Sequence, residues 1–334
     1  MGSIPTLDVS LFHSESTADR KQYASALVNS LTKHGFVKLI NHGIPEETVM
    51  EMFEWSQKFF KIPQVEKDRI AHLAGPTPQR GWSRIGAEKT STLYGSLAGV
   101  NVSLDLLDAR EHFDQGAPSD TKFPNKWPST DTFEAGFQPF MENLFKACEG
   151  VSEDILRALE LAYALPTGTF VDKCSPNASE LRLNHYPPID IRDLRKGEVN
   201  RIWPHFDLGV ITLLFQDSIG GLEIGDREHP SEFIPVIRES PYELVLNISE
   251  TLQRWTNDVL PAGLHQVTMP TTMKHLQEGY VPDRYSVAYF CKAARTASVG
   301  PLQPFVAAGS VPNYDDVTAL EYHQRRLQSA YRPG

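Results

Sequence analysis

The N-terminal half of the chain places apolar residues at helical spacing. Over residues 17–31 they recur at positions 23, 24, 27, 28 and 31, and Gly35 follows as a stop signal. Pro45 opens a second helix, whose apolar positions are 49, 52, 53, 59 and 60. A long helix is predicted over about 131–164, with an apolar stripe used for packing. Residues 71–102 are rich in Gly, Pro and Ser, so they are predicted to form loops.

From residue 180 onward the pattern changes to short strands separated by turn residues such as Gly220 and Gly221. The predicted strands are 181–186, 209–215, 221–225, 233–237, 243–248, 264–269 and 285–291. Many short strands at this spacing predict a double-sheet jelly roll, whose mouth holds a metal in cupin-like proteins. A final helix near 315–331 is expected to pack over this barrel or near its entrance. The predicted fold class is therefore α+β.

Composition narrows the class of protein. The 334 residues suffice for one large domain, and 42 acidic residues outnumber 32 basic ones. No Lys/Arg run is long enough to indicate nucleic acid or an anionic membrane as a partner, and no 18-residue apolar stretch occurs. Cys148, Cys174 and Cys291 are odd in number and widely spaced, which favours a reducing cytoplasm over a disulfide framework.

The run that ends in His205, Phe206 and Asp207 is the first candidate for chemistry. In an extended segment, residues i and i+2 point to the same side, so this imidazole and carboxylate can share one metal ion. His265 from another strand would complete a two-His, one-carboxylate triad, which leaves three positions of an octahedral Fe(II) open. On its own His-x-Asp is a weak signal, and His275 is an alternative third ligand in a polar loop.

A second constellation indicates a carboxylate clamp. Arg284 and Ser286 are again i and i+2, within a segment of strong strand propensity. A guanidinium grips two carboxylate oxygens bidentately, and the serine hydroxyl adds a further hydrogen bond. Arg254 and Arg295 are rival candidates, although neither carries the i+2 serine.

The predicted strand 181–186 places polar side chains on one face. Alternation puts Arg182, Asn184 and Tyr186 on one side and Leu183 and His185 on the other, so His185 is expected to serve packing or the surface. An interior lined by such polar groups is costly to bury without a ligand.

Short motifs along the chain occur in the order of a known family. They fall at residues 4–8, 34–37, 41–45, 80–82, 108–114, 184–186, 205–207, 252–257 leading into 265, and 284–286. The set resembles the Fe(II)/2-oxoglutarate-dependent dioxygenases of the isopenicillin N synthase-like type over almost the whole chain. Phe206, Gln266 and the pair Ser249–Glu250 depart from the usual pattern. None is a metal ligand, so these departures concern subfamily and substrate.

The resemblance implies a fold and a division of the chain. It implies a double-stranded β-helix core over 178–295, a helix-rich N-terminal region over 1–120 and a C-terminal helix. The whole chain, 1–334, would be one catalytic domain.

The resemblance also implies the cofactors. His205, Asp207 and His265 would bind Fe(II), whose open positions take the cosubstrate 2-oxoglutarate and O2. Arg284 and Ser286, with Tyr186 and Asn184, would bind 2-oxoglutarate. The expected activity is oxidation of an unactivated C–H bond of a small molecule in secondary metabolism, by hydroxylation or alternatively by desaturation, cyclisation or ring rearrangement.

The substrate residues are the least determined by the sequence. Arg80 and Trp82 lie in a stretch that borders the substrate in the family, Arg182 lies beside Asn184, and Phe206 follows a metal ligand. Cationic groups near the pocket favour an anionic or phenolic small molecule, unless these arginines are paired with neighbouring acids. Two other functions stay open: an iron oxidase that does not use 2-oxoglutarate, and a non-catalytic ligand-binding relative.

Overall fold

Two large sheets, two two-stranded sheets and a set of helices make up the described part of the molecule. The computed structural model describes residues 4–73, 75, 77–92 and 106–330. The strands are β1 (Thr6–Asp8), β2 (Phe36–Ile40), β3 (Gly81–Ser83), β4 (Leu107–Asp108), β5 (Glu111–Gly116), β6 (Glu180–Tyr186), β7 (Ile189–Asp190), β8 (Val199–Asn200), β9 (Ile202–His205), β10 (Ile211–Gln216), β11 (Leu222–Gly225), β12 (Phe233–Pro235), β13 (Leu244–Ile248), β14 (His265–Val267), β15 (Tyr280–Val281) and β16 (Arg284–Cys291). The helices are α1 (Thr17–His34), α2 (Glu46–Phe60), α3 (Gln64–Arg69), α4 (Phe137–Ala162), α5 (Ile191–Lys196), α6 (Glu250–Trp255) and α7 (Ala319–Ala330).

The two sheets pack face to face as a jelly roll. Within the described ranges the larger sheet has the order β1-β2-β13-β10-β16-β6-β5-β3, and the smaller has the order β12-β11-β14-β9. One apolar cluster joins them, because it combines Val245 and Tyr186 of the larger sheet with Leu222, Ile224 and Val267 of the smaller. This arrangement confirms the predicted fold class.

The alternation along β6 decides what lies on each side of the larger sheet. Leu181 and Leu183 belong to the apolar core that the sheet shares with the helices. Arg182, Asn184 and Tyr186 point the other way and line the cavities between the sheets. Since side chains alternate with period two, this one register separates packing residues from polar residues.

Helices from the first half of the chain cover the outer face of the larger sheet. α1 packs on α4, and α2 contacts both β6 and β16. The contact is rich in aromatic rings: Phe59 lies 4.6 Å from Phe113 and 5.5 Å from Phe137, measured between ring centroids. Such pairs add favourable interactions to the apolar area that they bury. This layer supports the sheet from the side opposite the polar cavities.

Most predicted elements are confirmed. Each predicted strand corresponds to an observed one with boundaries that differ by a residue or two, and β1 and β2 occur where the motifs at 4–8 and 34–37 placed them. The long helix is shorter than predicted, since residues 131–136 form turns and Gly136 precedes α4. No helix of the described residues combines the length and apolar character needed to cross a membrane.

The prediction of loops over 71–102 needs correction. Residues 81–83 form β3, which pairs with β5, and residues 90–92 have helical backbone. β3 has three residues and begins at Gly81, so its strand character comes from pairing with β5 and not from a periodic pattern. Residues 74, 76 and 93–102 of this segment lie outside the described residues.

The C-terminal helix is fastened by a buried ion pair. Arg326 of α7 donates from Nε and Nη2 to Glu250, at 3.0 and 2.8 Å, and Tyr322 donates to the same carboxylate at 2.5 Å. Both charged side chains are buried. The backbone amide of Glu250 in turn donates to the carbonyl of Asp207 at 2.9 Å. The docking of α7 is therefore connected to the loop that carries a candidate metal ligand.

We predict that Arg326→Ala releases α7. Removing one partner leaves the Glu250 carboxylate buried and uncompensated, which costs about 3–5 kcal/mol. Hydrogen–deuterium exchange of the amides in 319–330 should become at least about tenfold faster. Arg325→Ala is the matched control, because Arg325 makes half-exposed pairs with Asp315 and Glu321 that are worth about 0–1 kcal/mol. Equal protection of α7 in both variants would contradict this account of the docking.

Candidate active site

Three ligand-bearing side chains converge where β9 pairs with β14. His205 and His265 are directly opposed across these strands, and their ring centroids lie 4.2 Å apart. Asp207 follows two residues after the end of β9, with its Oδ1 atom 3.7 Å from Nε2 of His205 and 3.8 Å from Nε2 of His265. All three residues are buried, and one ligand atom of each lies within 4.8 Å of the others. The three therefore surround a point that a single metal ion can occupy.

Backbone carbonyls fix both imidazole rings. Nδ1 of His205 bonds the carbonyl of Trp203 at 2.9 Å, and Nδ1 of His265 bonds the carbonyl of Gly263 at 3.1 Å. A carbonyl accepts only, so each Nδ1 carries the proton and each Nε2 presents its lone pair to the shared point. Burial and the neighbouring His265 lower the pKa of His205 to about 3. A neutral ring is the form that ligates a metal.

The carboxylate is oriented by strands of the larger sheet. Oδ2 of Asp207 accepts hydrogen bonds from Thr212 Oγ1 at 2.7 Å and from Asn247 Nδ2 at 2.9 Å. Burial opposes ionisation of Asp207, but His265, His205 and these hydrogen bonds hold its pKa below the ordinary value. Oδ1 is thereby left as the ionised oxygen that faces the histidines. Two nitrogens and one carboxylate oxygen on one side of a point form the donor set of non-haem Fe(II) oxygenases, with positions left open.

The clamp residues lie on the adjacent pair β6 and β16. Arg284 is opposite Tyr186 in the register, and Ser286 is opposite Asn184. Asn184 Nδ2 donates to Ser286 Oγ at 3.3 Å, and the Arg284 guanidinium lies 4.8 Å from the centroid of the Tyr186 ring. With the three triad residues, these four side chains line one cavity. The predicted cosubstrate residues and metal ligands therefore share a single space.

Arg284 has unused hydrogen-bonding capacity. It is fully buried, and Nη2 donates to Gln216 Oε1 at 3.1 Å, whereas Nε and Nη1 have no hydrogen-bond partner among the described residues. A buried guanidinium with two orphan nitrogens is costly, and a carboxylate is the group that satisfies it bidentately. The residues present thus fit a carboxylate ligand beside the metal position.

The rival candidates are occupied elsewhere. Arg295 bonds Asp120, and Arg254 bonds the carbonyl of Val299 and the Asp315 side chain. His275 is exposed in a loop and is not in the triad. His185 points away from the cavity, as its parity predicts, with Nδ1 2.8 Å from Glu111 Oε1 and Nε2 2.8 Å from Asp283 Oδ1.

A second cavity of about 540 Å3, measured out to its opening, adjoins the triad. His205 and Asp207 line both cavities. Two of the predicted substrate residues, Arg182 and Phe206, are in the wall of this second cavity. Arg182 is bound within the wall by Asp114 at 2.7 Å, and it also contacts Glu88 and Gln79. This cavity is the space that a substrate next to the metal would enter.

The other two predicted substrate residues, Arg80 and Trp82, lie away from both cavities, which corrects their predicted placement. The Arg80 guanidinium lies in a buried network with Glu180 at 2.9 Å, Asp120 at 3.0 Å and the carbonyl of Phe123 at 3.1 Å. Trp82 belongs to the apolar core on the helix side of the sheet, where its Nε1 donates to Glu111 at 2.7 Å. Neither side chain lines either cavity. The alternative that Arg80 pairs with acids is therefore correct.

Sequence reasoning missed several residues of the second cavity. Glu88, Arg110 and Lys292 line it, and so does His323 of α7. Arg110 lies in the motif at 108–114, which could have drawn attention to it. Glu88 lies in a segment predicted as loop, and no local pattern distinguished it. His323 lies in a helix that was expected over the barrel or near its entrance, but no pattern singled out this histidine.

Comparisons with known proteins identify the family of this chain. The family described as non-haem dioxygenase in morphine synthesis N-terminal matches residues 4–130, and the 2OG-Fe(II) oxygenase superfamily matches residues 178–293. The 2-oxoglutarate-dependent dioxygenase ecdK of Aspergillus rugulosus is 48% identical, over 98% of this chain and 100% of the relative. The proline hydroxylase buaE of Petromyces alliaceus is 39% identical, over 98% of this chain and 99% of the relative.

A solved structure shares the fold over nearly the whole chain. The full-length Neurospora crassa protein that was crystallised in complex with alpha-KG has a TM-score of 0.85 and 29% identity, covering 97% of this chain and 95% of that chain. Fold and donor set define the class as non-haem iron oxygenases. The chain belongs to the 2-oxoglutarate-dependent dioxygenases, an enzyme family that uses Fe(II), 2-oxoglutarate and O2. This confirms the expected family and cofactors.

We predict that anaerobic addition of Fe(II) and 2-oxoglutarate produces a visible charge-transfer absorption. The band requires chelation of the keto acid at the open positions of iron, and it should be lost in His205→Ala and Asp207→Ala. His275→Ala is the matched control, since that histidine is exposed and outside the triad. An undiminished band in either ligand variant would refute the assignment of the triad.

A separate prediction concerns the clamp. Arg284→Ala should weaken 2-oxoglutarate binding by roughly 30-fold or more, because a buried bidentate charge pair is worth about 2–5 kcal/mol. Fe(II) affinity should change little, and Arg284→Lys should recover only part of the loss because an ammonium lacks the planar fork. The measurement is calorimetric titration with each ligand. Parallel losses of iron and 2-oxoglutarate affinity would point to a disturbed fold and not to a clamp.

Proposed function

We propose that His205, Asp207 and His265 hold Fe(II) and that Arg284 holds the distal carboxylate of 2-oxoglutarate. Ser286 and Tyr186 would add hydroxyl contacts, and Asn184 would orient Ser286. The observation that carries this assignment is the pair of unpartnered Arg284 nitrogens, buried in the same cavity as the triad. When bound, iron would activate O2, which is the oxidant, and 2-oxoglutarate would supply two of the electrons that reduce O2, so that an unactivated C–H bond can be cleaved.

The protein's own contribution is orientation and exclusion of water. The Trp203 and Gly263 carbonyls fix the tautomers of the two histidines, and Thr212 and Asn247 fix the carboxylate. Since these contacts are buried or partly buried, the rings have little freedom to turn away from the metal position. Hydroxylation is the expected outcome, with desaturation, cyclisation or ring rearrangement as alternatives set by how the substrate is held.

We further propose that the substrate is a small carboxylate used in secondary metabolism, which selects the anionic alternative over the phenolic one. Arg110 lines the second cavity, and its Nε has no hydrogen-bond partner among the described residues, so it can donate to a ligand carboxylate there. The relative named proline hydroxylase, by that name, acts on a molecule that carries a carboxylate. Nucleic acid is not among the proposed partners, and three free cysteines support a cytoplasmic location.

The experiment that tests this function measures how much succinate and carbon dioxide form for each molecule of product. With a turned-over substrate, one succinate and one carbon dioxide should form from 2-oxoglutarate per molecule of product, measured by mass spectrometry with labelled 2-oxoglutarate. Product without succinate would identify an iron oxidase that does not use 2-oxoglutarate. Fe(II) and 2-oxoglutarate binding without either product would identify a ligand-binding relative.

A further inference from the structure

The wall of the second cavity contains charges of both signs. The Glu88 carboxylate is buried between two arginines: Arg182 donates from Nη1 to its Oε2 at 2.9 Å, and Arg110 contacts the same oxygen from Nη2. The second carboxylate oxygen, Oε1, accepts from Gln79 Nε2 at 3.2 Å. All of these side chains line the cavity next to His205 and Asp207.

Two atoms of this wall have hydrogen-bonding capacity left. Nε of Arg110 is buried and has no hydrogen-bond partner among the described residues. A carboxylate oxygen has two lone pairs, so Oε1 of Glu88 can accept another hydrogen bond beside the one from Gln79. The wall therefore offers a cationic donor and an anionic acceptor that are bonded to each other through Glu88 Oε2.

Part of the remaining wall is apolar. Phe206, Leu208, Phe290 and Leu327 line the same cavity, and Leu327 comes from helix α7. A ligand that fills this space therefore needs a compact head group of both charges and an apolar remainder.

We propose that the substrate is a free apolar α-amino acid, whose carboxylate is bound by Arg110 and whose ammonium is bound by Glu88. The proposal rests on the proposed function, since it concerns the substrate of that oxygenase. It names the head-group chemistry that the cavity wall matches, and it adds Glu88 and Arg110 as specificity-determining residues.

Each simpler ligand would meet an unfavourable charge. A carboxylic acid without an amine would place its anion beside Glu88, and an amine without a carboxylate would place its cation beside Arg110 and Arg182. Arg182 and Arg110 overcome the effect of burial and hold the pKa of Glu88 well below its usual range, so Glu88 is ionised at neutral pH. A zwitterion pairs its carboxylate with Arg110 and its ammonium with Glu88 at the same time. The wall therefore selects against carboxylic acids that lack an amine and against amines that lack a carboxylate.

The position of Arg110 also connects head-group binding to the reaction centre. Arg110 lines both cavities, and Nη1 donates to Asn184 Oδ1 at 3.2 Å. Asn184 in turn donates to Ser286 of the proposed clamp at 3.3 Å. An amino acid held on this wall would lie next to the metal position, with its apolar side chain directed toward Phe206 and Phe290.

The test measures binding to the anaerobic enzyme loaded with Fe(II) and 2-oxoglutarate. Each apolar standard amino acid is titrated, and shifts of the visible absorption give dissociation constants without turnover. Matched probes lack one charge: isocaproate and isopentylamine for L-leucine, cyclopentanecarboxylate and pyrrolidine for L-proline. At least one amino acid should bind about tenfold or more tightly than both of its matched probes.

Variants then assign the charges. Glu88→Gln should weaken binding of that amino acid by about 10- to 100-fold, whereas its amine-free probe should bind no more weakly than before, because a repelling charge has been removed. Asp120→Asn is the control, because Asp120 is a buried carboxylate that pairs with Arg80 and Arg295 and does not line the cavity. The comparison of probes on the unmodified enzyme needs no variant, so the proposal stays testable if Glu88→Gln does not fold.

Several outcomes would overturn the proposal. These are no binding of any amino acid at millimolar concentration, equal affinity for an amino acid and its amine-free probe, and equal effects of Glu88→Gln and Asp120→Asn. In each case the charge-transfer band would still report Fe(II) and 2-oxoglutarate binding. Loss of that band in the unmodified enzyme would instead refute the oxygenase function itself.

Discussion

Burial of charge between two sheets is the constraint on which this structure depends. The register of β6 with β5 and β16 turns Arg182, Asn184 and Tyr186 inward, where water cannot solvate a guanidinium. An uncompensated charge in such a place costs several kcal/mol, so each one needs a partner from the protein or from a ligand. Arg182 has protein partners in Asp114 and Glu88. Arg284 has an amide contact and two nitrogens without a hydrogen-bond partner among the described residues, which supports its proposed role in binding a ligand carboxylate.

The metal position depends on both sheets at once. The histidines come from β9 and β14 of the smaller sheet, whereas the groups that orient Asp207 come from β10 and β13 of the larger one. The apolar cluster that joins the sheets therefore holds the donor atoms in place, although none of its side chains is a ligand. Glu250 extends this dependence to the C-terminal helix, since its amide bonds Asp207 and its carboxylate bonds Arg326.

The sequence predicted what local patterns encode. Alternation located the strands, and the i, i+2 spacings and motif order identified the triad and Arg284 with Ser286. Partners far apart in the sequence could not be predicted from local patterns. Arg80 was expected near the substrate because of its place in a family motif, whereas its partner acids, Asp120 and Glu180, lie 40 and 100 residues away. Glu88 was missed for the same reason, since its role appears only when Arg110 and Arg182 are brought to it by the fold. Charge pairing between residues that are far apart in the sequence produces no periodic pattern from which it could be predicted.

The two cavities contain the same residue types but differ in whether the protein itself compensates the buried charges. In the cavity that the triad and Arg284 line, two nitrogens of the Arg284 guanidinium lack hydrogen-bond partners among the described residues. Binding of a carboxylate there would satisfy these buried donors and stabilise the folded protein. In the second cavity Glu88 and its arginines already compensate one another, so the wall by itself carries little strain. A ligand in the second cavity gains binding free energy only if its carboxylate faces Arg110 and its ammonium faces Glu88. The first arrangement favours affinity for one invariant cosubstrate, and the second favours discrimination among the many small metabolites that fit beside the metal.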